Sequence, residues 1–123
     1  MSEKLNILVV DDDRRMVKTI CDILEVKGYR PIGAYSGEEA VGKVKEKEPD
    51  CVLMDIRMPV MDGDSAARAI KEFRPDIPII AQTAYAMESE KVNYLNTFDD
   101  LISKPINRKE LKEKMEKYMH VAI

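Results

Sequence analysis

The sequence predicts an α/β protein in which five β-strands alternate with five helices around one parallel sheet. Short apolar runs recur along the chain, and stretches with helical spacing of apolar residues separate them. Three of the runs, "ILVV", "CVLM" and "IPII", are continuously apolar, as strands covered on both faces are. Parallel strands need crossover connections, which the intervening helices supply. At 123 residues, the chain is expected to form a single domain over residues 1–123.

The predicted strands follow directly from the apolar runs. Pro31 lies in the second run and lacks the N–H that a central strand would use, so this strand is predicted at an edge of the sheet. The five runs cover residues 5–10, 30–35, 51–54, 77–82 and 101–103.

The first two helices carry clear terminal signals. Apolar residues at helical spacing begin at Met16, and Gly28 is a suitable stop for the first helix. Ser36 and Glu39 form a capping-box pattern at the start of the second helix, whose apolar stripe begins at Ala40.

The remaining helices are indicated with unequal strength. The spacing of apolar residues from Ala66 to Phe73 predicts a third helix, which Pro75 ends. A fourth helix over residues 87–95 has the weakest pattern. Asn107, with Glu110 three residues later, is expected to cap the fifth helix.

Composition excludes several classes of protein. The net charge is −3 with acidic and basic residues interleaved, so direct nucleic-acid binding is not expected. No apolar stretch approaches the roughly 20 residues of a membrane span, and "MSEKLN" has no signal-peptide pattern, so we expect a cytoplasmic protein. Cys21 and Cys51 are expected to be reduced core thiols. With His120 as a lone tail histidine, a structural zinc site is not expected.

Polar residues follow four of the predicted strands. Because the carboxyl ends of parallel strands meet at one edge of a sheet, these residues are expected to converge there. They are Asp11, Asp12 and Asp13 after the first strand, Asp55 after the third, Thr83 and Ala84 after the fourth, and Lys104 and Pro105 after the fifth.

Carboxylates, a hydroxyl and a lysine at one edge of the sheet together predict phosphoryl chemistry. Clustered carboxylates repel one another, and they suit a hard divalent ion such as Mg²⁺, or Mn²⁺, which removes the repulsion. A carboxylate beside the ion can act as nucleophile towards a phosphoryl group and form an acyl phosphate. A lysine and a hydroxyl can then bind the phosphoryl oxygens.

At these residues the sequence resembles the receiver domain of two-component response regulators. The resemblance rests on four motifs in order, and it spans about residues 5–119. It implies a chemotaxis-regulator-like, flavodoxin-like fold with strand order 2-1-3-4-5. The segments "QTAYAM" and "SKPI" are similar to those of receivers found in hybrid histidine kinases. The motifs are "LVVDDD", "VLMDIRMPVMDG", "TA" at 83–84 and "SKP" at 103–105.

The resemblance implies a role for each site residue. Asp55 would be the phosphoacceptor, taking its phosphoryl group from a histidine of a sensor kinase or of a histidine phosphotransfer domain. Asp12 would bind Mg²⁺ together with Asp55 and the backbone carbonyl of Arg57, and Asp11 would act through a bound water. The chain would therefore be a signalling domain, which catalyses its own phosphotransfer and dephosphorylation, rather than an enzyme with a separate substrate.

The family pattern also assigns the residues around the phosphoryl group. Thr83 would move towards it, with Ala84 beside it, and Lys104 would pair with it, preceding a cis peptide bond to Pro105. Phosphorylation would switch the face formed by the fourth helix, the fifth strand and the fifth helix. Arg57 and Tyr85 lie two residues after the phosphoacceptor and the threonine, where the family tunes phosphoryl lifetime. Two bulky residues there predict slow autodephosphorylation.

Several positions depart from the family pattern or fall outside it. Leu101 stands at the switch position, where the family usually has Tyr or Phe. The glycine expected near the end of the fourth helix falls on Thr97, and neighbouring Asn96 is expected to serve instead. Asp13 matches no ligand position, so Asp13 and Asp64 are both interpreted as helix N-caps.

Two other functions are compatible with parts of the sequence. A small phosphatase of the haloacid-dehalogenase kind would use Asp11 as nucleophile, with Asp13, Lys104 and either Asp99 or Asp100 in support. Such an enzyme would leave Asp55 without a role. The second alternative is an interaction module that keeps the receiver fold without the phosphorylation chemistry.

Overall fold

The computed structural model describes residues 5–83 and 97–119. Within them the chain forms five strands, β1 (Asn6–Val10), β2 (Arg30–Ala34), β3 (Cys51–Asp55), β4 (Ile79–Thr83) and β5 (Asp100–Ser103). The helices are α1 (Arg14–Val26), α2 (Gly37–Lys47), α3 (Gly63–Phe73) and α4 (Arg108–Tyr118).

The strands form one parallel sheet in the order β2-β1-β3-β4-β5, as predicted. β2 lies at an edge, which confirms the position expected from Pro31. The C-terminal helix α4 is the fifth predicted helix. The predicted helix at 87–95, and with it Ala84, Tyr85, Asn96 and His120, lies outside the described residues.

Alternate residues of each strand pack on opposite faces of the sheet, because successive side chains of a strand point to opposite sides. One face packs under α1 and α4, and the other under α2 and α3. On the first face the buried cluster contains Ile7, Val9, Val17, Ile20, Leu24, Cys51, Leu53, Ile80, Ile102, Leu111, Met115 and Met119. On the second it contains residues such as Leu8, Val10, Val52, Met54, Ile70 and Ile79.

Three predicted N-caps are confirmed by side-chain hydrogen bonds. The Asp13 carboxylate accepts from the N–H of Arg15 at 3.0 Å, which starts α1. Ser36 Oγ accepts from the Glu39 N–H at 3.1 Å, and Asn107 caps α4. The Glu39 carboxylate accepts from the N–H of Tyr35 rather than from that of Ser36, so the capping box is shifted by one residue.

The N-cap prediction for Asp64 is wrong. Asp62 caps α3, accepting from the Ser65 N–H at 2.8 Å. Asp64 lies in the first turn of the helix and pairs with Arg68 at 2.9 Å. The helix starts earlier than predicted because Gly63, as its first residue, has no side chain and can pack directly against the end of β3.

Both cysteines are free thiols, but only one is fully buried. Cys51 is buried, and burial raises the pKa of its thiol to about 12. Cys21 is half-buried on α1, where burial and the neighbouring Asp22 raise its pKa to about 11. The expectation of a core position is therefore confirmed for Cys51 alone. Among the described residues, no helix is long and apolar enough to cross a membrane.

Candidate functional site: an acidic cluster at the carboxyl edge of the sheet

The site is built where β1 and β3 end side by side. Val10 is in register with Met54, so the next residues, Asp11 and Asp55, emerge as neighbours. The Asp11 N–H donates to the Ala34 carbonyl at 3.2 Å, which fixes the backbone beyond β1. Asp11 is 2% exposed and Asp55 is 5% exposed. Two carboxylates are thus held together out of water, which is unfavourable unless a cation joins them.

Lys104 supplies one such cation. Its Nζ donates to Asp55 Oδ1 at 2.9 Å and to Asp11 Oδ2 at 3.2 Å. The backbone of Lys104 is held by a hydrogen bond from its N–H to the Thr83 carbonyl at 2.9 Å, and the bond to Pro105 is cis, as expected. The four strand ends predicted to converge, those that carry Asp11, Asp55, Thr83 and Lys104, therefore meet at one site.

A third carboxylate completes a set of oxygen donors. Asp11, Asp12 and Asp55 each offer one carboxylate oxygen, and these atoms lie within 4.8 Å of one another. Asp12 is exposed, so the cluster opens to solvent on one side. Hard oxygen donors around an open face fit Mg²⁺, which binds one or two carboxylates and keeps several waters. The residues present therefore fit the ion that the sequence predicted.

The pKa values at the site reflect this crowding. Burial raises the pKa of Asp55 and the negative charge of Asp11 adds to this effect, although the hydrogen bond from Lys104 opposes both. Burial disfavours the Lys104 ammonium, but its pairing with Asp55 and Asp11 outweighs burial and raises the lysine pKa. The ammonium is thus held charged, while the Asp55 carboxylate remains short of compensating positive charge.

A cavity of about 260 Å³ opens over the cluster. Thr83, at the end of β4 and 4% exposed, lies on its wall, and exposed Arg57 lies at its rim. The described lining residues are Asp11, Asp12, Asp13, Asp55, Ile56, Arg57, Gln82, Thr83 and Lys104.

The three consecutive aspartates divide between two tasks. Asp11 and Asp12 belong to the oxygen-donor set, whereas the Asp13 side chain is engaged at the N-terminus of α1. The Asp13 N–H also donates to Asp11 Oδ1 at 3.0 Å. This bond helps to orient the Asp11 carboxylate, so Asp13 supports the site through its backbone.

The loop after β3 is held close to the site by its packing. A Cβ on Gly63 would collide with the backbone carbonyl of Asp55, so only glycine allows this approach. The Gly63 N–H donates to the Ile56 carbonyl at 2.8 Å, and Met58 is buried beneath the loop. Exposed Val60 adopts a left-handed φ of 68°, which is unusual for a β-branched residue.

One residue of the cavity was missed by sequence reasoning. Gln82 lies on β4 beside Asp55 in the sheet register and is fully buried. The sequence predicts only a buried strand for the run that contains Gln82. A usable signal is its position two residues after Ile80, which parallels the position of Asp55 after Leu53.

Two positions that depart from the family pattern are described. Leu101 lies on β5, half-buried, and packs against the apolar cluster under α2 and α3. Thr97, at the expected glycine position, is half-buried in a turn.

The arrangement needed by the phosphatase alternative is not formed. The Asp13 carboxylate caps α1. Asp99 and Asp100 lie at the amino ends of β4 and β5, where Asp99 accepts from the N–H of Ile79 and Asp100 begins β5. Neither can support a nucleophile at the carboxyl edge of the same sheet.

Comparison with known proteins agrees with this geometry. Residues 7–116 match the family described as the response regulator receiver domain. The chain is 39% identical over 115 residues to the transcriptional regulatory protein ZraR of Salmonella typhimurium, covering 93% of this chain and 26% of that protein. It is 34% identical over 121 residues to hybrid signal transduction histidine kinase L of Dictyostelium discoideum, covering 91% of this chain and 7% of that protein.

The solved structures show the same architecture. A CheY-like response regulator receiver domain protein from Methanospirillum hungatei superposes with a TM-score of 0.87 at 32% identity, covering 94% of this chain and 93% of that chain. The present chain spans about a quarter of the length of the ZraR relative, so the comparison concerns the receiver region. With its fold, its acidic cluster and these matches, the chain belongs to the response regulator receiver domain family.

Proposed function

We propose that this domain receives a phosphoryl group on Asp55 and acts as a phosphorylation-dependent signalling switch. The observation that carries the proposal is the position of Asp55. Its carboxylate lies at the carboxyl edge of the sheet, bonded to Lys104, with oxygens of Asp11 and Asp12 within 4.8 Å. A carboxylate needs a nearby cation to accept a phosphoryl group that carries negative charge of its own.

The phosphoryl transfer that we propose uses Asp55, Lys104 and Thr83. A carboxylate oxygen of Asp55 attacks the phosphorus of a phosphohistidine, forming an acyl phosphate. The P–N bond breaks, and its electron pair stays on the imidazole, which takes up a proton. Lys104 already donates to Asp55, and in the transfer its ammonium would stabilise charge on the phosphoryl oxygens. Thr83 lines the same cavity, and its hydroxyl would be a second donor.

Asp11, Asp12 and Asp55 are the side chains that would hold Mg²⁺, with the Arg57 carbonyl as a further ligand. The bound ion would supply positive charge to the carboxylates and to the incoming phosphoryl oxygens. We propose a histidine kinase or a histidine phosphotransfer domain as the donor, as for receivers in general, and a cytoplasmic site of action.

Identification of the modified residue tests the proposal. The protein is incubated with acetyl phosphate and Mg²⁺, and the acyl phosphate is located by borohydride reduction and peptide mass spectrometry. We expect modification of Asp55 and none in Asp55→Asn. Modification of Asp11 that survives in Asp55→Asn would support the phosphatase alternative. An unmodified wild-type protein would support the phosphorylation-independent interaction module.

We also propose that exposed Arg57 prolongs the life of the acyl phosphate by shielding it from water. Arg57→Ala is expected to shorten the half-life of the phosphorylated protein, measured after removal of the donor with Mg²⁺ present. Arg68→Ala, another exposed arginine, on α3, is the matched control and is expected to leave the half-life unchanged. A wild-type half-life of only seconds would contradict the proposal.

Phosphorylation would be transmitted to the face formed by the predicted fourth helix, β5 and the fifth predicted helix, which is α4; of these, β5 and α4 lie in the described residues. A change from about 1% to about 99% active requires a difference of roughly 5.5 kcal/mol between the two states. Leu101, half-buried on β5, would change its packing without the aromatic ring that the family usually has at this position. Amide hydrogen exchange with and without beryllofluoride and Mg²⁺ is expected to differ in β5 and α4. Unchanged exchange there would exclude this output face.

A further inference from the structure

Gln82 is a buried polar group for which the mechanism above has no use. It is 0% exposed, and both its Oε1 and its Nε2 lack a hydrogen-bond partner in residues 5–83 and 97–119. An amide buried without partners loses its hydration and gains nothing in return, so most buried amides in proteins are paired with protein or with water. The position of Gln82 therefore requires an explanation.

The sheet places Gln82 in the polar layer that forms the site. It is in register with Asp55 on one side and with Ile102 on the other. Each polar residue of this layer follows a buried apolar residue of the α1 and α4 face by two positions, and so shares its face. The pairs are Val9 and Asp11, Leu53 and Asp55, Ile80 and Gln82, and Ile102 and Lys104.

Gln82 also lines the cavity that contains the ionised groups. This cavity has a volume of about 260 Å³ and is lined by Asp55 and Lys104 as well. A bound water occupies about 30 Å³ and needs two or more polar partners, and this polar cavity can provide both.

Lys104 can supply the second partner. A lysine ammonium has three N–H donors, and the bonds to Asp55 and Asp11 account for two of them. A water that accepts from the third N–H can donate to Gln82 Oε1. Such a water links Gln82 to Lys104 and satisfies the buried amide oxygen.

We propose that Gln82 is a positioning residue of the site, which binds an ordered water and through it orients the Lys104 ammonium over Asp55. The inference rests on the phosphoacceptor function proposed above. Gln82 touches no reacting atom in this role. It restricts the Lys104 side chain to the position from which the ammonium meets the phosphoryl oxygens.

Replacement of the amide by an apolar group of similar shape tests this role. In Gln82→Met, the rate of phosphorylation by acetyl phosphate with Mg²⁺ is expected to fall about three- to tenfold, as for the loss of one hydrogen bond in the transition state. Mg²⁺ affinity, measured by calorimetry, and the thermal unfolding midpoint are expected to stay at the wild-type values. Gln82→Leu is a second variant in which no sulfur can replace the amide.

Asn6 provides a matched control. Its Oδ1 is also buried without a partner among the described residues, but it lies at the start of β1, at the opposite end of the sheet. Asn6→Leu is expected to be phosphorylated by acetyl phosphate at the wild-type rate.

The water itself is tested by NMR on the unphosphorylated protein without Mg²⁺. The Nε2 amide protons of Gln82, assigned by their loss in Gln82→Met, are expected to show cross-relaxation with a long-lived water. Amide protons of Gln82 that show no cross-relaxation with water would overturn the proposal. Equal phosphorylation rates for Gln82→Met and the wild type would also overturn it. Parallel losses of rate, Mg²⁺ affinity and unfolding midpoint would show a structural role instead. An unmodified wild type would refute the phosphoacceptor function, whereas equal rates would refute only the role of Gln82.

Discussion

The two ends of the sheet hold their carboxylates in opposite ways. At the carboxyl end, Asp11 and Asp55 share the ammonium of Lys104. At the amino end, Asp100 alone receives Lys114 at 2.7 Å, Lys117 at 3.4 Å and the Tyr118 hydroxyl at 2.9 Å. Asp11 and Asp55 thus share one cation, whereas Asp100 has two cations to itself.

Neighbouring Asp99 follows the pattern of the amino end. Its carboxylate accepts from Lys71 Nζ and from the Ile79 N–H, both at 2.8 Å, and Lys71 also donates to the Ile77 carbonyl. These bonds tie α3, β4 and the segment before β5 together. The carboxylates of the amino end therefore stabilise the fold.

The pKa values of the two ends differ in direction. Burial raises the pKa of Asp55 and prevails over its bond to Lys104. Burial also acts on Asp100, but there the bonds from Lys114, the Leu101 N–H and Tyr118 prevail and lower its pKa. The comparison teaches that an aspartate becomes a candidate binding residue when its environment leaves negative charge uncompensated, and a structural residue when donors surround it.

The largest expected difference is in the free energy of unfolding. Asp100→Ala is expected to reduce it by about 2 kcal/mol, because Lys114 and Tyr118 lose a half-buried acceptor. Asp12→Asn is expected to leave it unchanged or to increase it by up to about 1 kcal/mol, because repulsion at the acidic cluster is relieved. Urea unfolding with EDTA measures both. Equal losses of unfolding free energy in Asp100→Ala and Asp12→Asn would show that the carboxylates of the two ends do not differ in their contribution to stability.

Addition of Mg²⁺ is expected to stabilise the protein through one end only. At a concentration of ten times its Kd, the ion should add about 1.4 kcal/mol to the free energy of unfolding. Asp12→Asn should abolish this gain, whereas Asp100→Asn should retain it. Thermal unfolding over a Mg²⁺ titration provides the measurement. A gain that depends on Asp100 would contradict the assignment of the metal site.

Lowering the pH is expected to reduce the free energy of unfolding through Asp100 and to increase it through Asp55. The folded pKa of Asp100 lies below its unfolded value of about 3.9, so its stabilisation is complete above that value and is lost as the pH falls through the folded pKa. The raised pKa of Asp55 instead means that the ionised carboxylate opposes folding and that protonation relieves this cost.

Two variants separate these contributions. At neutral pH without Mg²⁺, Asp100→Asn is expected to be less stable than the wild type, and Asp55→Asn more stable. Both differences should shrink as the pH is lowered, each through the folded pKa of its own carboxyl group. Urea unfolding at a series of pH values tests this, and a stability of Asp55→Asn below that of the wild type would contradict it.

The smallest expected effects distinguish the lysines of the amino end. Lys114, whose side chain is 26% exposed, bonds Asp100 at 2.7 Å, and Lys114→Ala is expected to cost about 1 kcal/mol of unfolding free energy. Lys117 is 62% exposed and its contact is 3.4 Å long, so Lys117→Ala is expected to have no measurable effect. Equal losses would show that bulk charge, rather than the short bond, stabilises this end.

The outcome of the N-cap predictions shows how far local sequence reaches. Local spacing predicts an N-cap at both Asp13 and Asp64, but of the two only Asp13 caps a helix. The start of α3 is set by the contact of Gly63 with the backbone of Asp55, which joins two different elements. Local spacing carries no information about that contact, so it could not separate Asp62 from Asp64.

The sequence alone predicted the order of the described strands and helices and brought Asp11, Asp55, Thr83 and Lys104 to the carboxyl edge, because periodicity and strand ends are local properties of the chain. It also placed β2 at an edge, since Pro31 has no N–H to donate and this missing donor costs least in an edge strand. Tertiary structure decided the lysine that joins Asp11 to Asp55, and the burial of Gln82 beside them. These features depend on which side chains meet across strands, where distance and desolvation set the charge balance.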